Sequence, residues 1–219
     1  MMGILASMTW NGIPIRLARL YIGLTIYGFS SALMLRSGLG LDPWDVFHQG
    51  IAQHTGLAIG TVVIIVGAIV MLGWIPIRQR PGLGTLSNVI LIGVAMNVSL
   101  EFLHTAHGLP LRAAFLTSAI VLCGIATGLY VGADFGPGPR DGLMTGYAKH
   151  TGRSIRLVRT LIEITVLAVG WLMGGTVGVG TVLYAACIGP LSQFFLGAFS
   201  AADSQWARKD PLEAAATAA

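Results

Sequence analysis

Charge is what this chain has least of. Only 10% of its 219 residues are Asp, Glu, Lys or Arg, against 54% hydrophobic, and the mean hydropathy is +0.76. Soluble domains carry about 25% charged residues, so a water-soluble fold is excluded. Cysteine is nearly absent too. Cys123 and Cys187 both fall in apolar stretches, which makes them buried thiols and leaves no disulfide framework. Residues 1–11 lack a basic region followed by an apolar core and a small-residue cleavage site, so no cleavable signal peptide is expected and the first span is retained. A nucleophile elbow, a phosphate-binding loop, a zinc-protease helix and a dinucleotide fingerprint are all missing. No enzyme, cofactor or metal is therefore expected. The formal net charge of +4 sits in short loops, where it sets orientation in a bilayer, so no nucleic-acid partner is expected.

What remains is apolar sequence in long runs. Six stretches, 17–35, 57–77, 85–104, 113–133, 155–174 and 181–200, are each about 20 residues long, enough to cross a hydrocarbon core of roughly 30 Å. Helices are expected, because lipid offers the backbone no hydrogen-bond partner.

The chain also repeats itself. Residues 40–56 and 136–152 agree at Gly40/Gly136, Pro43/Pro139, Asp45/Asp141, Gly50/Gly146, Ala52/Ala148, His54/His150, Thr55/Thr151 and Gly56/Gly152, a constant offset of 96. Extended without a gap, residues 14–93 match 110–189 at 22 of 80 positions, including Pro14/Pro110, Arg16/Arg112, Gly28/Gly124 and Gly82-x-Gly84-Thr85 against Gly178-x-Gly180-Thr181. Matched Pro, Asp and His at one register indicate an internal duplication. In each copy the segment predicts a short helix, 43–55 and 139–151. In the first, Asp42 serves as N-cap, Pro43 as first helical residue, Asp45 as first-turn acid and Gly56 as C-terminal stop. About 12 residues make roughly 18 Å, too little to span.

A cytoplasmic N-terminus puts eleven of the thirteen Lys and Arg residues inside, leaving only Arg36 and Arg112 outside. Each half then holds three spans, so the second enters from the opposite face. The expected fold is an all-α polytopic membrane protein with six transmembrane helices as two inverted three-helix repeats, each with a short re-entrant or interfacial helix after its first span. The expected layout is an N-terminal segment 1–12, repeat 1 over 13–104, repeat 2 over 105–200 and a cytoplasmic tail 201–219, in the bacterial cytoplasmic membrane with both termini cytoplasmic.

If the short helices are re-entrant, their proline ends approach the midplane from opposite sides and offer free N–H groups to an anion or polar solute. If they are interfacial, Trp44, Phe47 and Ile51 rest on lipid. Candidate solute-binding residues are Asp42, Asp45 and Gln49 on the first short helix and Arg140, Asp141 and Thr145 on the second, where Asp45-Gln49-Gln53 and Asp141-Thr145-Lys149 form polar stripes. Thr85 and Thr181 are candidates for polar contact or simple caps. Glu163, a carboxylate within a span, reads either as a proton carrier or solute ligand or as a partner for Arg159 one turn earlier. Asn97 and Gln193, matched by the repeat, either line a cavity or join helices. Glu101, His104 and His107 share a helical face, but no fourth ligand accompanies them.

Gly-Leu-Asp-Pro-Trp-Asp-Val-Phe-His-Gln-Gly (40–50), Trp-Ile-Pro-Ile-Arg-Gln-Arg-Pro-Gly-Leu-Gly-Thr (74–85), Gly-Pro-Arg-Asp-Gly-Leu-Met (138–144) and Gly-Gly-Thr-Val-Gly-Val-Gly-Thr (174–181) resemble the YczE-type family of bacterial membrane proteins, loosely grouped with the YitT type. The resemblance implies a small polytopic membrane protein of a largely uncharacterised family, sometimes associated with secondary-metabolite loci or described as a transporter, and it supplies no site residues. The function expected is a transporter or channel-like protein for a small polar or anionic solute, in contact with the lipid bilayer and able to form a homo-oligomer or bind a membrane partner. The other reading is a non-transporting regulatory or scaffold protein linked to secondary-metabolite production.

Overall fold

Proline and glycine set the element boundaries. In the computed structural model, which describes residues 12–199, eight helices follow one another: α1 (Ile13–Ser37), α2 (Pro43–Thr55), α3 (Ile59–Leu72), α4 (Leu83–Phe102), α5 (Leu109–Gly132), α6 (Pro139–Thr151), α7 (Ile155–Leu172) and α8 (Val179–Phe199). No strand occurs among the described residues. The expectations for segment 1–11 and tail 201–219 lie outside them.

Four helices, α1, α4, α5 and α8, are long and apolar enough to cross a membrane, and α2 with α3, bent by 113° at their junction, makes a fifth if the bent pair is one span. The sequence predicts six. The second expected span, 57–77, is helical only as far as Leu72, because the chain turns at Gly73 ahead of Pro76 and Trp74 folds back to donate its indole N–H to the Pro139 carbonyl at 3.0 Å. Fourteen residues reach only about 21 Å. The fifth, α7, holds Arg156, Arg159 and Glu163 within 18 residues.

At the centre α1 lies against α5, and the two run antiparallel, as their ends show. Arg16, at the start of α1, donates from Nε to the Ala133 carbonyl (2.9 Å) and from Nη2 to the Asp134 carbonyl (3.0 Å), past the end of α5. Arg112, its repeat partner at the start of α5, donates from Nε to Ser37 (2.7 Å) and from Nη2 to Gly38 (2.6 Å), at the end of α1. Each arginine supplies cationic donors to carbonyls that a helix C-terminus leaves unpaired. Small residues bring the outer helices close: a Cβ on Gly28 would strike α4 at Ile92, Ala95 and Met96, and one on its partner Gly124 would strike α8 at Leu191. Leu20, Leu24, Ile92, Met96 and Tyr130 fill one apolar core, and Leu33, Met34, Val46, Leu116 and Ile120 a second.

Candidate functional site

Two loops, related by the offset of 96, present the short helices to each other. Leu39 to Asp42 leads into α2 and Phe135 to Gly138 into α6. Gly40 (φ 118°) and Gly136 (φ 111°) take backbone angles that favour glycine. Each loop is held by the opposite half: Gly180 N–H donates to the Leu39 carbonyl and Gly84 N–H to the Phe135 carbonyl, both at 2.8 Å. Thr181 and Thr85 accept from Gly178 and Gly82 N–H, each at 3.2 Å, and Thr85 also donates to the Pro137 carbonyl at 2.8 Å. These threonines are therefore buried caps that fix the loops.

Asp42 closes α2, its Oδ1 accepting from Trp44 N–H (3.1 Å) and Asp45 N–H (3.3 Å). Asp42, Asp45 and His48 are 4%, 2% and 1% exposed, and His48 Nδ1 lies 2.9 Å from Asp45 Oδ1. From the first turn of α6, Arg140 reaches across: Nη1 is 3.6 Å from Asp42 Oδ1, Nη2 is 3.9 Å from Asp45 Oδ1, and the guanidinium rests 5.1 Å from the centre of the Trp44 ring. Asp141 Oδ2 accepts from Tyr130 O–H at 3.2 Å. With Trp44 buried under Arg140, the interfacial reading, in which Trp44 rests on lipid, does not hold for this side chain.

Between the helix starts lies a cavity of about 260 Å³. Nine pairs of its lining residues are related by the offset of 96: Asp42/Gly138, Pro43/Pro139, Trp44/Arg140, His48/Met144, Val63/Arg159, Gly67/Glu163, Asn88/Tyr184, Val89/Ala185 and Ile92/Ile188. The two halves thus supply equivalent backbone positions and different chemistry. Opposite Val63 and Gly67 stand Arg159 and Glu163, joined by a 2.9 Å hydrogen bond between Nε and Oε1.

Of the residues singled out in the sequence, Asp42, Arg140, Asp141 and Glu163 line this cavity, and Asp45 stands behind Asp42 in contact with Arg140. The others do different work. Gln49 Oε1 accepts from Thr176 N–H (2.6 Å), Thr145 donates to the Asp141 carbonyl of its own helix (2.8 Å), and Gln193 is exposed. Asn97 accepts from Gly60 N–H (2.8 Å) and donates to Thr61 (3.2 Å), joining α4 to α3. Glu101, His104 and His107 are exposed, and no group of three potential metal ligands occurs among the described residues. Sequence reasoning missed Tyr27, His48, Asn88, Tyr130 and Tyr184 in the wall. For three of them a signal was available: Asn88 and Tyr184 are repeat partners, and His48 follows Asp45 at helical spacing.

Comparison with known proteins fits a membrane chain of this size. The chain is 41% identical over 191 residues to an uncharacterized protein of Haemophilus influenzae, covering 87% of this chain and 88% of the relative. It is 38% identical over 182 residues to the uncharacterized membrane protein YczE of Bacillus subtilis, covering 80% and 83%, and 26% identical over 179 residues to the uncharacterized protein YyaS of the same organism, covering 80% and 89%. No solved structure matches it. The model of a family of unknown function, DUF6198, matches residues 14–197, nearly the whole described length. The chain is therefore a helical membrane protein that belongs to the DUF6198 family and is similar to YczE.

Proposed function

We propose that this protein carries a small polar solute across the bacterial cytoplasmic membrane, through the cavity where α2 and α6 meet, without catalysing a reaction. Its two halves act as an inverted repeat of three membrane-crossing elements each, with α2 and α6 as re-entrant half-helices and both chain termini cytoplasmic. The observation that carries the reading is the cavity wall: nine repeat-related pairs surround one space, and ionisable groups line it. Charged side chains within an apolar helical protein are costly and mark solute or ion paths. The antiparallel α1 and α5, each capped by the other's arginine, support the inversion. Lining carboxylates outnumber lining guanidiniums, which favours a polar over an anionic cargo.

Carriage also requires two states, and the halves differ in one respect that supplies them. In the first half α3 lies along α4, with Gly60 against Gly93 and Asn97 bonded to Gly60 N–H. In the second half α7 lies against α2 instead, with Gly170 on the Phe47 backbone, and a Cβ on Gly189, the partner of Gly93, would meet nothing within 4 Å among the described residues. One repeat element has two packings. Exchange of the two, with α3 leaving α4 and α7 closing on α8, would seal one side of the cavity and open the other.

The test is solute counterflow in liposomes holding the purified full chain, across a panel of amines, amino alcohols, sugars and carboxylates. The reading expects accelerated exchange of at least one solute and its loss in Asp42→Asn. No exchange of any solute, together with a membrane partner that co-purifies in stoichiometric amount, would favour the regulatory or scaffold role.

A further inference from the structure

The charges around the cavity do not balance, and the imbalance has a sign. Glu163 and Arg159 neutralise each other at 2.9 Å. What remains among the described residues is three carboxyl groups, Asp42 and Asp141 in the wall and Asp45 behind Asp42 with the His48 imidazole 2.9 Å from it, against the one guanidinium of Arg140. Arg140 is held loosely for a cation facing two carboxylates. Its contacts of 3.6 and 3.9 Å exceed hydrogen-bond length, and its side chain is 24% exposed while those of Asp42 and Asp45 are 6% and 2% exposed. It lies over the Trp44 ring, so the wall already receives a cation on an aromatic face. Tyr27, Tyr130 and Tyr184 continue the aromatic lining.

Resting on the transport reading above, we infer that the cargo is a small organic cation, an ammonium compound, that displaces Arg140 from Asp42 and Trp44. A carboxylate with an aromatic face suits an ammonium group, which such faces attract through the ring quadrupole. The volume of about 260 Å³ limits the cargo to a small molecule, roughly nine water-sized groups in all. Arg140 then acts as a tethered competitor: it balances the buried carboxylates while the site is empty and swings aside when a mobile cation arrives. An anion site requires the opposite dependence, because there Arg140 would be the ligand.

The experiment is a calorimetric titration of the purified full chain in maltoside detergent with tetramethylammonium chloride, with sodium chloride and sodium acetate as controls. The expected result is saturable binding of tetramethylammonium, no binding of acetate, at least a tenfold weaker affinity in Asp42→Asn, and an equal or tighter affinity in Arg140→Gln. Asn retains the capping oxygen, so α2 keeps its N-terminus. If Asp42→Asn nevertheless fails to fold, Asp141→Asn serves, with the same weakening expected. Saturable acetate binding that is lost in Arg140→Gln overturns the cation class while leaving the transport reading intact. Binding of tetramethylammonium without counterflow leaves the cation site standing and removes transport. Absence of saturable ammonium binding in every variant overturns the inference. Repeating the titration in nanodiscs of phosphatidylglycerol and of phosphatidylethanolamine separates the sources of the ammonium group: equal binding identifies a free solute, and loss only with the ethanolamine lipid identifies its headgroup as the occupant.

Discussion

Asp42 has two roles that can be separated by substitution. It accepts two backbone N–H groups at the start of α2 and faces Arg140 across the cavity. Asp42→Asn and Asp42→Ala both remove the charge, and in both Asp45 remains opposite Arg140, so their difference isolates the cap. Replacing a capping side chain with Ala costs about 0.5–2 kcal/mol. Thermal denaturation in detergent should therefore place Asp42→Ala below Asp42→Asn by a few degrees. Equal midpoints would show that the cap is not a determinant of α2. Asn97 offers a second residue-scale test. Interhelical polar contacts in membranes average about 0.6 kcal/mol and reach about 1.7. Asn97→Ala should thus cost about that amount and loosen α3 from α4 without unfolding the chain.

The elements carry the two-state argument. If α3 and α7 exchange packings, residues 156 and 189 must at times approach each other as Gly60 and Gly93 do, at a wider spacing, because a side chain at 156 cannot enter the contact that Gly60 makes. In a chain with Cys123 and Cys187 replaced by Ser, the pair Arg156→Cys with Gly189→Cys should form a disulfide in membranes under mild oxidation, and Asn97→Ala should raise its yield. No cross-link in either background would leave α7 with a single packing. The boundaries of α2 and α6 were legible in the sequence, because their signals are local: a proline at the first helical residue, Asp42 before one of them, and His-Thr-Gly at the end of each, with Gly56 (φ 70°) and Gly152 (φ 68°) closing the helices. The end of α3 was not legible. Residues 74–77 remain mostly apolar, and only the long-range bond from Trp74 to Pro139 reveals that they turn back toward the other half. The contact of Arg140 with Asp42 and Trp44 was hidden for a similar reason. It joins positions in different copies, so local spacing carries no trace of it. What the sequence did carry was the offset of 96, and applying it to Asn88 leads directly to Tyr184 across the cavity.

At the scale of the whole molecule, the outer faces are apolar and the charged groups of α2, α6 and α7 gather around the cavity. Val182 and Phe194 on α8 are 69% and 70% exposed, as are Leu86 and Ile90 on α4 at 49% and 58%, and such surface belongs against acyl chains. Transport through this protein requires that the space between α2 and α6 be reached by water-borne solute rather than sealed. The most direct measurement places a single cysteine at Asn88, a wall position that carries no charge, in the background lacking Cys123 and Cys187. A membrane-impermeant thiol reagent is then applied to each side of sealed vesicles. Position 88 is expected to be labelled from at least one side and protected by the bound solute, while a cysteine at Ile90 on the lipid-facing side of the same helix is labelled from neither. Labelling of neither position from either side would contradict transport through this space.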